Sequence, residues 1–342
     1  MKRKRIIFLS ILTLFIFILL YNHSLVYYGF VQAKGQLEII FNTRPVSEIL
    51  NESSFPDSLK RKILLINDVK SFATENLGLN GRKNYITYYD QQGRELMWVV
   101  TACRPFALEA YSWDFPIIGS FTYKGFFKPD LAEKEAEKLR EQGYDISIRN
   151  AGGWSTLGIL KDPILSDMLN RSDGSLADLI IHELTHGTIF IRNDIEFNEN
   201  LATFIGNEGA KIYLAHKFGT NSEELYIYNQ KLLDSQKFSD YVLFGAVQLD
   251  SLYHSLGTHW SYERKESMKR AWINDFIQHL DTVYFIKPED YAHYFDNFYP
   301  NNTFFMSYLR YRGGLGQFQT ELNLKFNGDL SQYISYLKQK YK

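Results

Sequence analysis

This chain has almost no means of cross-linking itself. Its 342 residues include one cysteine, Cys103, so an internal disulfide is excluded. Cys103 ends the apolar run Trp98-Val99-Val100-Thr101-Ala102-Cys103, where a lone cysteine is expected to be a small core residue. Net charge is also nearly absent. The 38 Lys and Arg balance 39 Asp and Glu to −1, which leaves no basic field to hold nucleic acid. No internal repeat and no low-complexity linker interrupts the sequence, so array and tethered-module architectures are excluded. What is plentiful is core material. The chain is 45% hydrophobic and 16% aromatic, enough for one large domain or two intimate subdomains.

The start of the chain has its own signature. Lys2, Arg3, Lys4 and Arg5 precede an uncharged stretch from Ile6 to Tyr21, which Asn22 to Val26 extend toward spanning length. A basic cluster before an apolar run reads as a signal anchor or a secretory signal. No good small-x-small cleavage site follows, Val31-Gln32-Ala33 being a poor one. The expectation is therefore an uncleaved anchor over 1–26 in a bacterial inner membrane. That would leave 27–342 as a periplasmic or otherwise extracytoplasmic domain, with subdomains near 27–150 and 151–342.

The most specific feature is His182-Glu183-Leu184-Thr185-His186, inside an apolar stretch that reads as a helix. Residues four apart on a helix share a face, so His182 and His186 can address one metal ion. Glu183 lies one residue along, off that stripe, where it can reach a metal-bound water as a general base. This is the zinc metallopeptidase arrangement. The bland alternative, a surface Glu and two surface His, fits poorly with Leu179, Ile180, Ile181, Leu184 and Ile189 around it.

A catalytic zinc takes three protein ligands, so a third must be found. Asn198-Glu199-Asn200-Leu201-Ala202 is an Asn-Glu-x-x-Ala pattern similar to the second zinc-binding helix of gluzincin metallopeptidases. Glu199 is the expected ligand. Glu196, expected to precede the helix, and Glu208, expected to face away, are its competitors. Arg192-Asn193-Asp194 reads as part of a short loop between the two helices.

A wider resemblance rests on Tyr27-Tyr28-Gly29, Gly35-Gln36-Leu37-Glu38, Ser155-Thr156-Leu157-Gly158, the two metal-site strings, and Pro300-Asn301-Asn302. Together these resemble a bacterial zinc-aminopeptidase family over nearly the whole chain after the leader. The resemblance implies a gluzincin-like α+β catalytic domain, a peptide substrate and one Zn2+ per chain. It also implies a catalytic tyrosine at Tyr311, with Tyr262, His254 and His259 as rivals. Many relatives carry a lipoprotein cysteine after the leader and a cysteine pair near Trp113. Here the leader has no cysteine, and Asp114 and Ser120 stand at the paired positions.

Periodicity predicts a mixed sheet followed by a mostly helical remainder. Helices are expected over 24–42, 57–77, 129–142, 164–170, 175–191, 197–217, 222–254 with a break near Ser239, 261–280, 302–310, 315–325 and 329–340. Strands are expected near 85–88, 95–101 and 144–149, with strand-like composition over 117–127. Residues 152–158 are a candidate sheet edge on which a peptide could lie. Asp178 and Asp194 are candidate partners for the histidines' outer ring nitrogens, or alternatively a helix-face charge and a helix cap.

Overall fold

The computed structural model describes residues 22–81, 83–115, 119–150, 161–192, 194–312 and 314–341, with backbone alone at 311 and 312. Residues up to Thr43 and residues from Arg44 onward form separate compact units. In the first, helix α1 (His23–Phe41) matches the helix expected there. Its Gln32, Lys34, Gln36 and Glu38 interrupt any apolar run. The single-pass inner-membrane placement must be corrected here. No helix among the described residues is long and apolar enough to cross a membrane. Most of the expected anchor, residues 6–21, lies outside the described residues.

The second unit opens with β1 (Arg44–Pro45), α2 (Val46–Asn51) and α3 (Asp57–Glu75). Helix α3 buries Ile63, Leu65, Ile66, Val69, Phe72 and Ala73, whereas Leu64 is exposed. The strands follow: β2 (Thr87–Tyr89), β3 (Trp98–Cys103), β4 (Trp113–Phe115), β5 (Gly119–Phe121) and β6 (Lys124–Phe126). Then come α4 (Pro129–Glu141), β7 (Asp145–Asn150) and β8 (Ile164–Leu165). The expected single mixed sheet is three small ones among the described residues. They are the mixed β1-β2-β8, the antiparallel β6-β3-β7 and the β4-β5 hairpin.

Two predicted features find a physical basis here. Cys103 is fully buried in β3, and burial pushes its thiol up to about 12, as expected of an inert core cysteine. Asp114 and Ser120 are direct cross-strand partners in the hairpin, and the Ser120 hydroxyl donates to the Asp114 carboxylate. A polar contact therefore stands where the family resemblance implies a cysteine pair.

After β8 the chain is helical: α5 (Asp173–His186), α6 (Ile195–Phe218), α7 (Glu223–Ser255), α8 (Tyr262–Gln278), α9 (Asn302–Arg312), α10 (Leu315–Phe326) and α11 (Leu330–Lys340). The helix expected over 164–170 is instead β8 followed by a short 3-10 turn. Helix α7 runs unbroken, against expectation. Ser239 Oγ donates to Ser235 O at 2.6 Å within the helix, so its hydroxyl leaves no polar group to force a break.

An aromatic core lies where α7, α8 and α9 meet. Phe238, Val242, Leu249, Phe276, Phe304 and Phe305 are buried together there, and Phe285 stacks on Tyr291 at 4.0 Å. Each such side chain contributes about 1.5–3 kcal/mol on burial.

Candidate metal centre

Helix α5 forms because its apolar residues fall on one broad face and because its first turn is capped. Ser172 Oγ accepts from Ser175 N at 3.4 Å. Leu176, Ala177, Ile180, Ile181 and Leu184 are fully buried. The helix ends at Gly187, where Thr188 Oγ1 donates to Leu184 O at 2.6 Å and accepts from Asn80 N at 2.8 Å.

Helix α6 begins at the cap Asp194, whose Oδ1 accepts from Phe197 N at 3.0 Å. Of the two readings for Asp194, the structure gives the cap. Glu196 is not before the helix, as expected, but in its first turn, because the cap lies at 194.

The two helices approach closely through glycine. A Cβ on Gly206 would lie 2.5 Å from Asp178 Oδ1 and 3.1 Å from Asp178 O. One on Gly209 would lie 2.9 Å from the Ile181 side chain. Glycine inside a helix costs about 1 kcal/mol relative to alanine, so the close approach offsets a real penalty. The seam brings Glu199 on α6 against His182 and His186 on α5.

The three side chains converge on one point. The Nε2 atoms of His182 and His186 are 3.1 Å apart, and Glu199 Oε2 lies 3.6 Å from the first and 3.7 Å from the second. Ligands about 2.0–2.1 Å from a tetrahedral ion lie about 3.3 Å from one another, so this triangle has the size of one face of such a shell. His182 and Glu199 are about one-fifth exposed and His186 is 5% exposed. The cluster is therefore nearly enclosed yet open on the His182–Glu199 side. These residues could hold a metal ion.

The charges of the cluster act on one another. Burial pulls the His182 imidazole down, but the Glu199 contact and the charges of Glu183, Glu199 and Asp178 outweigh it and leave the pKa raised. Burial pushes Glu199 up, but both imidazoles hold its carboxyl well below the usual range. Buried His186 Nδ1 has no partner among the described residues. An unpaired buried nitrogen costs about 1–3 kcal/mol, so His186 is a poor residue for stability alone.

The other candidates have other places. Glu183 acts electrostatically on His182 and on fully buried Tyr85, whose hydroxyl burial and the Glu183 charge push well up. Tyr85 was not singled out from the sequence. Its signal is a left-handed backbone, φ +58°, which only the folded chain reveals. Asp178 points at the α6 seam beside His182. Glu208 pairs with Lys211 at 2.5 Å. Tyr262 packs on Phe106, His254 bonds Asp250 O in its own helix at 2.9 Å, and His259 packs beside Trp260. Tyr311 is in the last turn of α9, its side chain outside the described residues, as is the whole candidate edge 152–158.

Two core helices thus present His, His and Glu to one point, a donor set that could hold a metal ion. Comparison with protein families gives the particular assignment. The model of a family described as "Putative aminopeptidase" matches residues 27–341, and the chain belongs to that family. The family's name suggests peptidase activity. No curated protein and no solved structure gives a significant match.

Proposed function

We propose that this chain is a zinc-dependent peptidase of gluzincin type, acting as an aminopeptidase, with residues 27–342 as its catalytic domain. The observation that carries the reading is the triangle of His182 Nε2, His186 Nε2 and Glu199 Oε2, held on a glycine seam. The set of two nitrogens and one carboxylate oxygen suits zinc and leaves a fourth position for a small molecule. Bound there, zinc would supply Lewis acidity and lower the pKa of a water toward 7.

The chain's own groups do the rest. Glu183 follows His182 directly, so its carboxylate stands beside the ligand stripe rather than in it. A Glu183 carboxylate oxygen takes the proton of the attacking water and returns it to the nitrogen of the leaving amine. Oxyanion charge needs a donor, and Tyr311, in the α9 turn tied to α6 through Asn200, is assigned that role.

The test is Glu183→Gln, which keeps shape and removes the base. Zinc content and melting temperature should stay at wild-type values, while turnover of unblocked peptides falls at least about a hundredfold. Running N-terminally blocked peptides in parallel separates the outcomes. Cleavage confined to unblocked peptides supports an aminopeptidase, and internal cleavage of both means an endopeptidase. Unchanged turnover in Glu183→Gln rejects the mechanism. Zinc without activity on any peptide points instead to a binding or assembly factor.

A further inference from the structure

Glu199 has an asparagine on either side, and both are only 2% exposed. A buried amide is tolerated when its donors and acceptor are matched. Asn198 matches its amide to a single residue. Its Nδ2 donates to Ile191 O at 2.7 Å, and its Oδ1 accepts from Ile191 N at 2.8 Å. Ile191 belongs to the connection between α5 and α6, so this pair of bonds closes the path from His186 to Glu199.

Asn200 holds a different segment. Its Nδ2 donates to Glu196 O at 2.8 Å and to Arg310 O at 2.5 Å, and its Oδ1 accepts from Gly314 N at 3.2 Å. The end of α9 and the start of α10 are thereby fastened to the helical turn that bears Glu199. Residues two apart on a helix point about 200° from each other, so the two amides work on opposite sides of α6.

We propose that Asn198 and Asn200 are positioning residues with separate duties. Asn198 sets Glu199 against the imidazoles by closing the α5–α6 connection. Asn200 holds the backbone around Arg310 and Gly314 against the turn that bears Glu199 and does not set the ligand spacing. The proposal rests on reading His182, His186 and Glu199 as zinc ligands.

The full chain should be titrated with zinc against a competing chelator, and its backbone followed by hydrogen–deuterium exchange. Asn198→Ala is expected to weaken zinc binding at least about tenfold, the usual effect of losing a group that orients a ligand, and to speed exchange over 187–192. Asn198→Asp keeps the acceptor for Ile191 N and should fall between that variant and wild type. It also serves if the alanine variant folds poorly. Asn200→Ala should keep zinc affinity within about threefold and speed exchange over 306–312 instead. Equal zinc affinity in wild type and both Asn198 variants overturns the proposal while leaving the metal site standing. So does an Asn200→Ala variant that loses zinc as severely as Asn198→Ala, or one with unchanged exchange over 306–312. A wild-type chain that takes up no zinc overturns the metal site itself, and the proposal with it.

Discussion

Two buried polar clusters in this molecule are built on opposite terms. Where α8 and α9 meet β7, Lys269 Nζ donates to Asp145 Oδ2 at 2.6 Å and to Pro105 O at 3.1 Å. Asp145 Oδ2 also accepts from Asn302 N at 2.9 Å. Asn302 Nδ2 donates to Arg104 O at 2.7 Å, and Asn302 Oδ1 accepts from Tyr253 at 2.6 Å. These donors and acceptors are answered by the protein. Between α5 and α6, by contrast, His182, His186 and Glu199 face one another across 3.1–3.7 Å, and His186 Nδ1 stays unpaired among the described residues. A closed cluster spends its polar groups on the fold. The other directs two imidazoles and a carboxylate at one point, where they could hold a metal ion.

The largest effect should come from breaking the closed cluster. Lys269→Met strips Asp145 of its counter-charge and should cost about 3–5 kcal/mol of unfolding free energy, read by urea denaturation. Zinc affinity should not change, because no metal donor is touched. A loss of metal without a loss of stability would erase the distinction between the clusters.

Next comes the seam. Gly206→Ala places a methyl against the Asp178 carboxylate and backbone, so α5 and α6 must separate. Zinc affinity should fall about tenfold to a hundredfold, measured by chelator competition, although alanine favours the helix. Unchanged affinity would show that the seam does not set the donor spacing.

Asp234 supplies a pH-dependent case on the closed side. It is 2% exposed, its Oδ1 accepts from Ile286 N at 2.7 Å, and its Oδ2 accepts from Lys287 N at 2.8 Å. Burial pushes its carboxyl up, but these backbone donors and Lys237 outweigh it, and the pKa is lowered. A folded pKa below the unfolded one gives stability that is present above the unfolded value and lost as pH falls through the folded value. Asp234→Asn should cost about 1.5–3 kcal/mol at neutral pH. The gap from wild type should narrow on acidification, as followed by thermal melts from pH 7 to pH 3. A constant gap would place the effect in packing rather than in the charge.

The smallest expected effect sharpens the contrast most. His186→Phe removes the unpartnered Nδ1 but also one of the two imidazoles beside Glu199, so the two effects offset and the metal-free protein should stay within about 1 kcal/mol of wild type. Zinc binding should vanish. A loss of several kcal/mol would mean that His186 belongs to the fold after all.

The open cluster was legible in the sequence because its signal is local. His182 and His186 are one turn apart, Glu183 is adjacent, and Glu199 lies in a recognisable Asn-Glu-x-x-Ala string. The closed cluster was hidden because Arg104, Asp145, Lys269 and Asn302 come from four distant segments with no shared spacing. Gly206 was hidden for another reason. In a sequence a mid-helix glycine reads as a weakness, and only the packed helices show what it admits. Strands β2, β3, β5, β6 and β7 were located within a few residues, whereas β1 and β4 were not anticipated and β8 fell in an expected helix; the division into three sheets depends on pairings that no single segment specifies. Glu196 was misplaced because the cap that starts α6, Asp194, sits in a run that reads equally well as loop.

Metal content measured on the purified protein addresses the central claim most directly. Elemental analysis should find about one zinc per chain in wild type and in Glu183→Gln, and almost none in His182→Ala and His186→Ala, with circular dichroism unchanged throughout. Histidine variants that fold normally and keep a full equivalent of zinc would contradict the account.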